Sequence, residues 1–223
     1  MTVLTAAGLT RRFRTPAGDL TACEDISLDL DAGELLVVRG PSGSGKTTLL
    51  NLLGGLDRAD AGSVTVDGHD LGDLDEDQLA EVRQNSIGFI FQSFGLLPVL
   101  SAAENVEIPL RIRRTPGDER DARVAELLAM VGLEAHGAQR PGELSGGQQQ
   151  RVGIARALAV TPTVLLADEP TGQLDSRTAA SIMDLIVDVV HRSGVAAVVA
   201  THDQQLVERA DKVLSLHDGR VVS

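Results

Sequence analysis

A chain of 223 residues that is 43% hydrophobic is long enough for one packed α/β domain and short for two domains with separate cores. Its formal charge of -12 opposes a nucleic-acid surface, which needs a basic stripe to exchange with phosphate counterions. No apolar run approaches the roughly 20 residues of a membrane-crossing helix. The N-terminus lacks the charged start, apolar core and cleavage site of a secretory signal, so the chain is expected to stay in the cytoplasm. The single cysteine, Cys23, excludes an internal disulfide or a CxxC metal hook and is expected to be a small buried hydrophobe.

In chain order, residues 3–13 and 20–30 read as extended segments separated by a turn at 15–19, which predicts an antiparallel β unit at the N-terminus. The run ELLVVR at 34–39 predicts a buried strand that leads through the glycine-rich GPSGSGK into an apolar helix. Further strands are expected at 63–66 and 87–91, with a polar helix at 75–84 between them. Residues 101–140 lose the strand signal. A helix at 101–110 and another at 118–131, with Val124, Leu127, Leu128 and Val131 at helical spacing, predict a helical subdomain at about 93–160, inserted in the α/β core. The core resumes with TVLLADE, a helix at about 177–191 and the apolar VAAVVAT, and a hairpin turning at Asp218 and Gly219 ends the chain.

Three stretches carry chemistry. Gly40, Pro41, Ser42, Gly43, Ser44, Gly45, Lys46 and Thr47 match G-x-x-x-x-G-K-[ST], whose glycines let backbone N–H groups wrap phosphates at a helix N-terminus. In that arrangement Lys46 reaches the β/γ-phosphates, the Thr47 hydroxyl binds Mg²⁺ and Thr48 helps hold the α-phosphate. A plain glycine turn is the rival reading, and the preceding strand and following helix argue against it. In VLLADEP a hydrophobic strand delivers Asp168 to its carboxyl end with Glu169 directly after it. Asp168 then organises Mg²⁺ and Glu169 polarises water as general base; alone, the pair also reads as a solvated strand end. In LSGGQQQR, Ser145 sits at an N-cap position, so with Gly146 and Gly147 it is either a softened helix start or a second anion site whose phosphate is unspecified.

The phosphate loop, LSGGQ and VLLADE, in this order and across nearly the whole chain, resemble the ATPases of ABC transporters. The resemblance implies a P-loop NTPase core with a mainly parallel sheet, an N-terminal antiparallel β-subdomain and an inserted helical subdomain. It implies ATP and Mg²⁺ as cofactors and a head-to-tail homodimer in which Ser145, Gly146, Gly147 and Gln148 serve the ATP of the other subunit. Gln92, in FIFQSF, resembles the glutamine that senses Mg²⁺ and water, and His202, in VVATHD, the histidine that hydrogen-bonds the γ-phosphate. Asp175 in TGQLDS resembles the aspartate linking the two sites, and Gln173 is an unusual residue beside it. Phe13 resembles the aromatic that stacks on adenine, where the family more often carries Tyr; a core aromatic is the alternative.

The fuller stretches GPSGSGKTTLLNLLGGLDR, GFIFQSFGLLPVLSAAENVEIPL and LSGGQQQRVGIARAL are similar to bacterial macrolide-exporter and lipoprotein-release ATPases. That similarity implies a partner permease on a separate chain, a place at the cytoplasmic face of the membrane, and efflux or extracytoplasmic mechanical work. The apolar, proline-punctuated segment at 94–100 is then expected to lie near the permease's coupling helix, with the 101–110 helix beside it; a loop packed on its own domain is the alternative. A regulatory ATPase of cell-division type and a soluble non-transport ABC ATPase are the alternatives.

Overall fold

The computed structural model describes residues 1–16 and 18–222. Ala17, inside the expected turn at 15–19, lies outside the described residues. On either side of it β1 (Thr2–Thr15) and β2 (Gly18–Asp31) pair antiparallel. Then come β3 (Leu35–Arg39), α1 (Lys46–Leu53), β4 (Ala61–Val66), the very short β5 (His69–Asp70), α2 (Glu76–Ser86) and β6 (Ile87–Ile90). Between β6 and β7 (Val164–Asp168) the chain is helical, with α3 (Ala102–Ile112), α4 (Gly117–Met130) and α5 (Gly146–Ala157). It continues through α6 (Ser176–Ser193), β8 (Ala196–Ala200) and the short α7 (Gln204–Val207) to the hairpin of β9 (Lys212–His217) and β10 (Arg220–Val222).

The strands form two sheets, a four-stranded one ordered β2-β1-β4-β5 and a six-stranded one ordered β10-β9-β3-β8-β7-β6. The first is antiparallel throughout. In the second, β9, β3, β8, β7 and β6 run parallel and only β10 is reversed. Parallel strands need both faces covered, which explains why LLVV, VLLA and AAVVA are continuous apolar runs and are buried at every one of those positions. Alternate side chains divide between two cores. Leu35, Val37, Leu165, Ala167, Ala197 and Val199 pack with α3, α4, α5 and α6. Leu36, Val38, Leu166 and Val198 pack with Leu49 and Leu53 of α1 and with Leu4, Leu9, Ile26 and Leu30 of the antiparallel sheet. The three inserted helices therefore share the core of one sheet face and do not enclose a separate one.

Helix starts follow local chemistry. Asp75 with Gln78, Ser101 with Glu104, and Ser145 with Gln148 each form a reciprocal cap in which side chain and backbone satisfy one another's orphan groups. Helix α6 is capped by Asp175 and ends at Gly194, whose φ of 73° suits glycine at a helix exit. The expected strand at 87–91 ends at Ile90, the last residue of β6 paired with β7; Phe91 is exposed and stacks on Phe89 at 5.9 Å. At the other side of the sheet Lys212 reaches Asp29 Oδ2 at 2.7 Å and Glu34 Oε2 at 2.9 Å, tying β9 to the end of β2. These two carboxylates hold the Lys212 ammonium well above its usual range.

Leu165 on the central part of β7 is fully buried, so Leu165→Ala is expected to cost about 2–5 kcal/mol through lost transfer energy and a residual cavity. Equilibrium denaturant unfolding followed by circular dichroism checks this.

Candidate functional site

The site begins with register. Val38 lies opposite Ala200, Ala200 opposite Asp168, and Ala167 opposite Ile90, so β3, β8, β7 and β6 reach their carboxyl ends together. The residues that follow those ends are Gly40, His202, Glu169 and Gln92, and all four line one cleft of about 850 Å³. Ligands of open parallel sheets bind at this edge because loops and helix N-termini converge there.

The phosphate-type loop is wedged rather than draped. A Cβ on Gly40 would lie 2.3 Å from the Leu216 carbonyl oxygen, and one on Gly45 only 2.1 Å from that of Ala22. The Gly219 N–H donates to the Ser44 carbonyl at 3.1 Å, and the Glu24 N–H donates to Gly219 at 2.8 Å. Strand β2 and the β9–β10 turn thus grip the loop from two sheets. Gly40, Pro41, Ser42, Gly43, Gly45, Lys46, Thr47 and Thr48 line the cleft, and Ser44 does not: it is 2% exposed and its N–H is spent on the Pro41 carbonyl. Helix α1 opens here with no capping side chain and no acidic residue in its first turn, which leaves its amide donors and dipole available to an anion.

Lys46 is nearly buried and is held in place by the carbonyls of Gly40 at 2.9 Å and Pro41 at 3.3 Å, with Glu169 Oε1 at 3.4 Å. The Thr47 hydroxyl donates to Asp168 Oδ2 at 2.8 Å, while the buried Oδ1 of Asp168 has no partner. Glu169 adopts a φ of 43°, a conformation an L side chain rarely keeps unless its surroundings hold it. Here they do: its N–H donates to the Ala200 carbonyl at 2.8 Å, and Oε2 lies 3.0 Å from His202 Nδ1. Gly172 makes room for Gln92, since a Cβ there would come within 2.8 Å of the glutamine's Nε2. A lysine, a hydroxyl, two carboxylates, an imidazole and an amide therefore converge on one anion-accepting turn.

At the far end of the cleft, Phe13 and its cross-strand partner Leu20 supply an apolar wall. The Phe13 ring is therefore a cleft wall and not a core side chain. Cys23 is the expected buried residue, 3.8 Å from the Gly45 carbonyl, and burial pushes its thiol up to about 11.

Ser145, Gly146, Gly147, Gln148 and Asp175 do not line this cleft. Ser145 Oγ accepts from the Gln148 N–H at 3.3 Å, and Gly147 is pressed on α6, where a Cβ would meet Thr178 Cγ2 at 2.4 Å. Asp175 caps α6, and hydrogen bonds from the Thr178 hydroxyl and N–H lower its carboxyl below the usual range. Leu20, Thr21, Ala22, Gly172 and Asp218 also line the cleft and carry no signature in the sequence. Among the described residues no helix is long and apolar enough to cross a membrane, and no three His, Cys, Asp or Glu side chains gather as a metal cage.

A loop, two carboxylates and a helix dipole set at the ends of parallel strands define a nucleoside-triphosphate site, and the comparisons agree with that class. The ABC transporter family matches residues 23–172, and the chain belongs to it. The chain is 48% identical over 219 residues to the lipoprotein-releasing system ATP-binding protein LolD of Chromohalobacter salexigens, covering 98% of this chain and 92% of the relative. It is 47% identical over 221 residues to the macrolide export ATP-binding/permease protein MacB of Bradyrhizobium diazoefficiens, covering 99% of this chain but 34% of that longer protein. The ATP-binding cassette MJ0796, solved as a dimer in a post-hydrolysis state bound to ADP and Pi, superimposes with a TM-score of 0.90 at 41% identity, over 99% of this chain and 97% of that one.

The loop packing separates two glycines. Gly43 has a φ of 80° and nothing within 4 Å, so Gly43→Ala is expected to cost about 1–2 kcal/mol of backbone strain. Gly45→Ala adds a backbone clash with Ala22 and is expected to cost about 3 kcal/mol or more. Thermal unfolding of the two variants side by side gives the comparison.

Proposed function

We propose that the chain is the ATP-binding and ATP-hydrolysing subunit of a bacterial ABC transporter, closing as a head-to-tail homodimer on ATP to drive a membrane permease. The observation that carries this reading is the division of the site. One chain brings the phosphate loop, Asp168, Glu169, Gln92 and His202 to a single cleft, while the LSGGQ helix start stands outside it. A second copy, facing the first, supplies Ser145, Gly146, Gly147 and Gln148 to the γ-phosphate from the open side, with Asp175 between the two sites. That the MJ0796 cassette forms a dimer supports the pairing of two copies.

Within one site, Lys46 and the loop amides hold the β/γ-phosphates, Thr48 the α-phosphate, and Phe13 stacks on adenine. Glu169 takes a proton from the attacking water as the water oxygen bonds to the γ-phosphorus and the bond to the bridging oxygen breaks, releasing ADP and phosphate. His202 bonds the γ-phosphate and Gln92 orients the water. Thr47 and Asp168 fit Mg²⁺: a hydroxyl and an orphaned carboxylate oxygen are hard donors, too few for a cage and right for an ion that keeps waters and phosphate oxygens. When bound with the Gln92 carbonyl nearby, Mg²⁺ neutralises phosphate charge.

The permease contact is assigned to segment 94–100. Buried Asn105 pins it from inside, accepting from the Leu97 N–H at 2.8 Å and donating to the carbonyls of Leu97, Leu100 and Ser101. Leu97 and Val99 are left 48% and 72% exposed on a rigid loop that starts just after Gln92, so permease movement and nucleotide state meet on one short stretch. The relatives' lipoprotein-release and macrolide-export names favour efflux or extracytoplasmic mechanical work, driven by this chain from the cytoplasmic face of the membrane.

Glu169→Gln is expected to lower turnover at least 100-fold while leaving a dimer that elutes early in gel filtration with MgATP. Lys46→Ala is expected to abolish that dimer by weakening nucleotide binding. Wild-type-like turnover by Glu169→Gln would remove Glu169 from its role. Co-purification of the trapped Glu169→Gln protein from native membranes is expected to recover a permease with a large extracytoplasmic domain, and recovery of soluble factors alone would sink the transporter reading.

A further inference from the structure

We propose that Arg11 is a positioning residue for the nucleobase: it fixes and polarises the Phe13 ring, and so biases the cleft toward purine over pyrimidine nucleotides. The inference rests on the reading of Phe13 as the base platform and extends it to a residue outside the cleft.

Arg11 places its guanidinium carbon 4.7 Å from the centroid of the Phe13 ring, inside the range of cation–π attraction. Phe13 lines the cleft and Arg11 does not, so any influence of the guanidinium on a bound base passes through the ring it covers. The guanidinium cannot wander. Its Nε donates to Asp57 Oδ2 at 3.0 Å and its second nitrogen lies 2.9 Å from Asp57 Oδ1, a two-pronged fit of fork to carboxylate. A third contact runs to Asp60 Oδ1 at 3.2 Å, and the other oxygen of Asp60 accepts the Arg12 N–H at 2.6 Å.

Asp57 follows the end of α1, where its N–H donates to the Asn51 carbonyl at 3.3 Å. The helix that opens on the phosphate loop is thus joined at its other end to the aromatic that would meet the base. Fixing the ring before the ligand arrives removes an ordering cost from binding. The cation withdraws density from the ring, which favours a polarisable, electron-rich partner. A bicyclic base overlaps Phe13 and the adjoining Leu20 together, whereas a single pyrimidine ring covers less of the wall. Arg11 would also serve as a plain tether between β1 and the loop after α1, and the experiment separates the two roles.

The full-length chain is titrated with ATP, GTP and CTP to obtain dissociation constants, and kcat is measured alongside, in Arg11→Met, Arg11→Lys, Phe13→Ala and the Arg11→Met/Phe13→Ala double variant, all below the onset of melting. Arg11→Met is expected to weaken ATP and GTP binding roughly three- to tenfold, to weaken CTP binding less, and to change kcat under about twofold. Arg11→Lys, which keeps the charge and loses the fork, is expected to recover part of the loss. In the Phe13→Ala background, Arg11→Met is expected to add nothing. An equal loss for purines and CTP, or an equal loss with and without Phe13, would overturn the proposal, as would a lowered melting temperature with unchanged affinities. If Phe13→Ala weakens ATP binding and Arg11→Met does not, the Arg11 proposal alone falls. If Phe13→Ala leaves ATP affinity unchanged, the base-platform reading falls with it.

Discussion

Parallel pairing between β3, β8, β7 and β6 holds the rest of this structure to its purpose. Hydrogen bonds between parallel strands fix their relative offset, and a slip by one residue would turn every side chain to the opposite face. Because Val38, Ala200 and Asp168 stand at matching heights and Ile90 lies opposite Ala167, one position short of Asp168, the residues after them leave the sheet close to one level. Glu169 and His202 are 33 positions apart in the chain and end within hydrogen-bonding distance, and Thr47 reaches Asp168 across 121 positions. Neither pairing has any local cause. Burial of β3, β7 and β8 between two apolar cores is what fixes that register.

The second constraint is the meeting of the two sheets at the phosphate loop. Carbonyls from β2 and β9 come so close to Gly45 and Gly40 that no side chain fits. The loop is held by backbone on both sides, so its amides are set before any anion arrives; such preorganised dipoles need no rearrangement on binding. This also resolves the charge balance. A chain of net charge -12 can accept a polyanion because short-range donors at the loop, Lys46 and the α1 terminus act within a screening length of about 8 Å that mutes the distant carboxylates. The strained backbone of Glu169 belongs to the same economy of position: the Ala200 carbonyl accepts its N–H, while Lys46 and His202 hold its carboxylate beside the loop.

An open cleft on one chain and a self-capped helix start outside it describe half of a working unit. The LSGGQ turn is internally satisfied by its cap, so its geometry is ready without a ligand. Gly147 lets α5 approach α6 at the point where Asp175 caps that helix, which places the proposed dimer-facing groups on one rigid junction. Arg156 adds a link from α5 to the stretch beyond Gln92, donating to the Phe94 carbonyl at 3.2 Å and to that of Gly95. Phe94 and Gly95 both adopt positive φ there, and burial pulls the Arg156 guanidinium below its usual range.

The sequence by itself determined whatever depends on neighbours along the chain. Apolar runs without alternation announced buried strands, the spacing of glycines and Lys46 announced the anion turn, and Ser145 announced a helix start; each is decided within a few residues by sterics, hydrogen bonding and burial. The two-residue β5 and the four-residue α7 were too short to leave a period. The tertiary structure alone decided that Leu20, Thr21, Ala22, Gly172 and Asp218 belong to the cleft, that Ser44 faces away from it, and that Arg11 backs Phe13. It also decided that the LSGGQ turn stands apart from the phosphate loop. These are distances between segments far apart in sequence, and strand register and sheet-to-sheet packing set them where no local rule reaches.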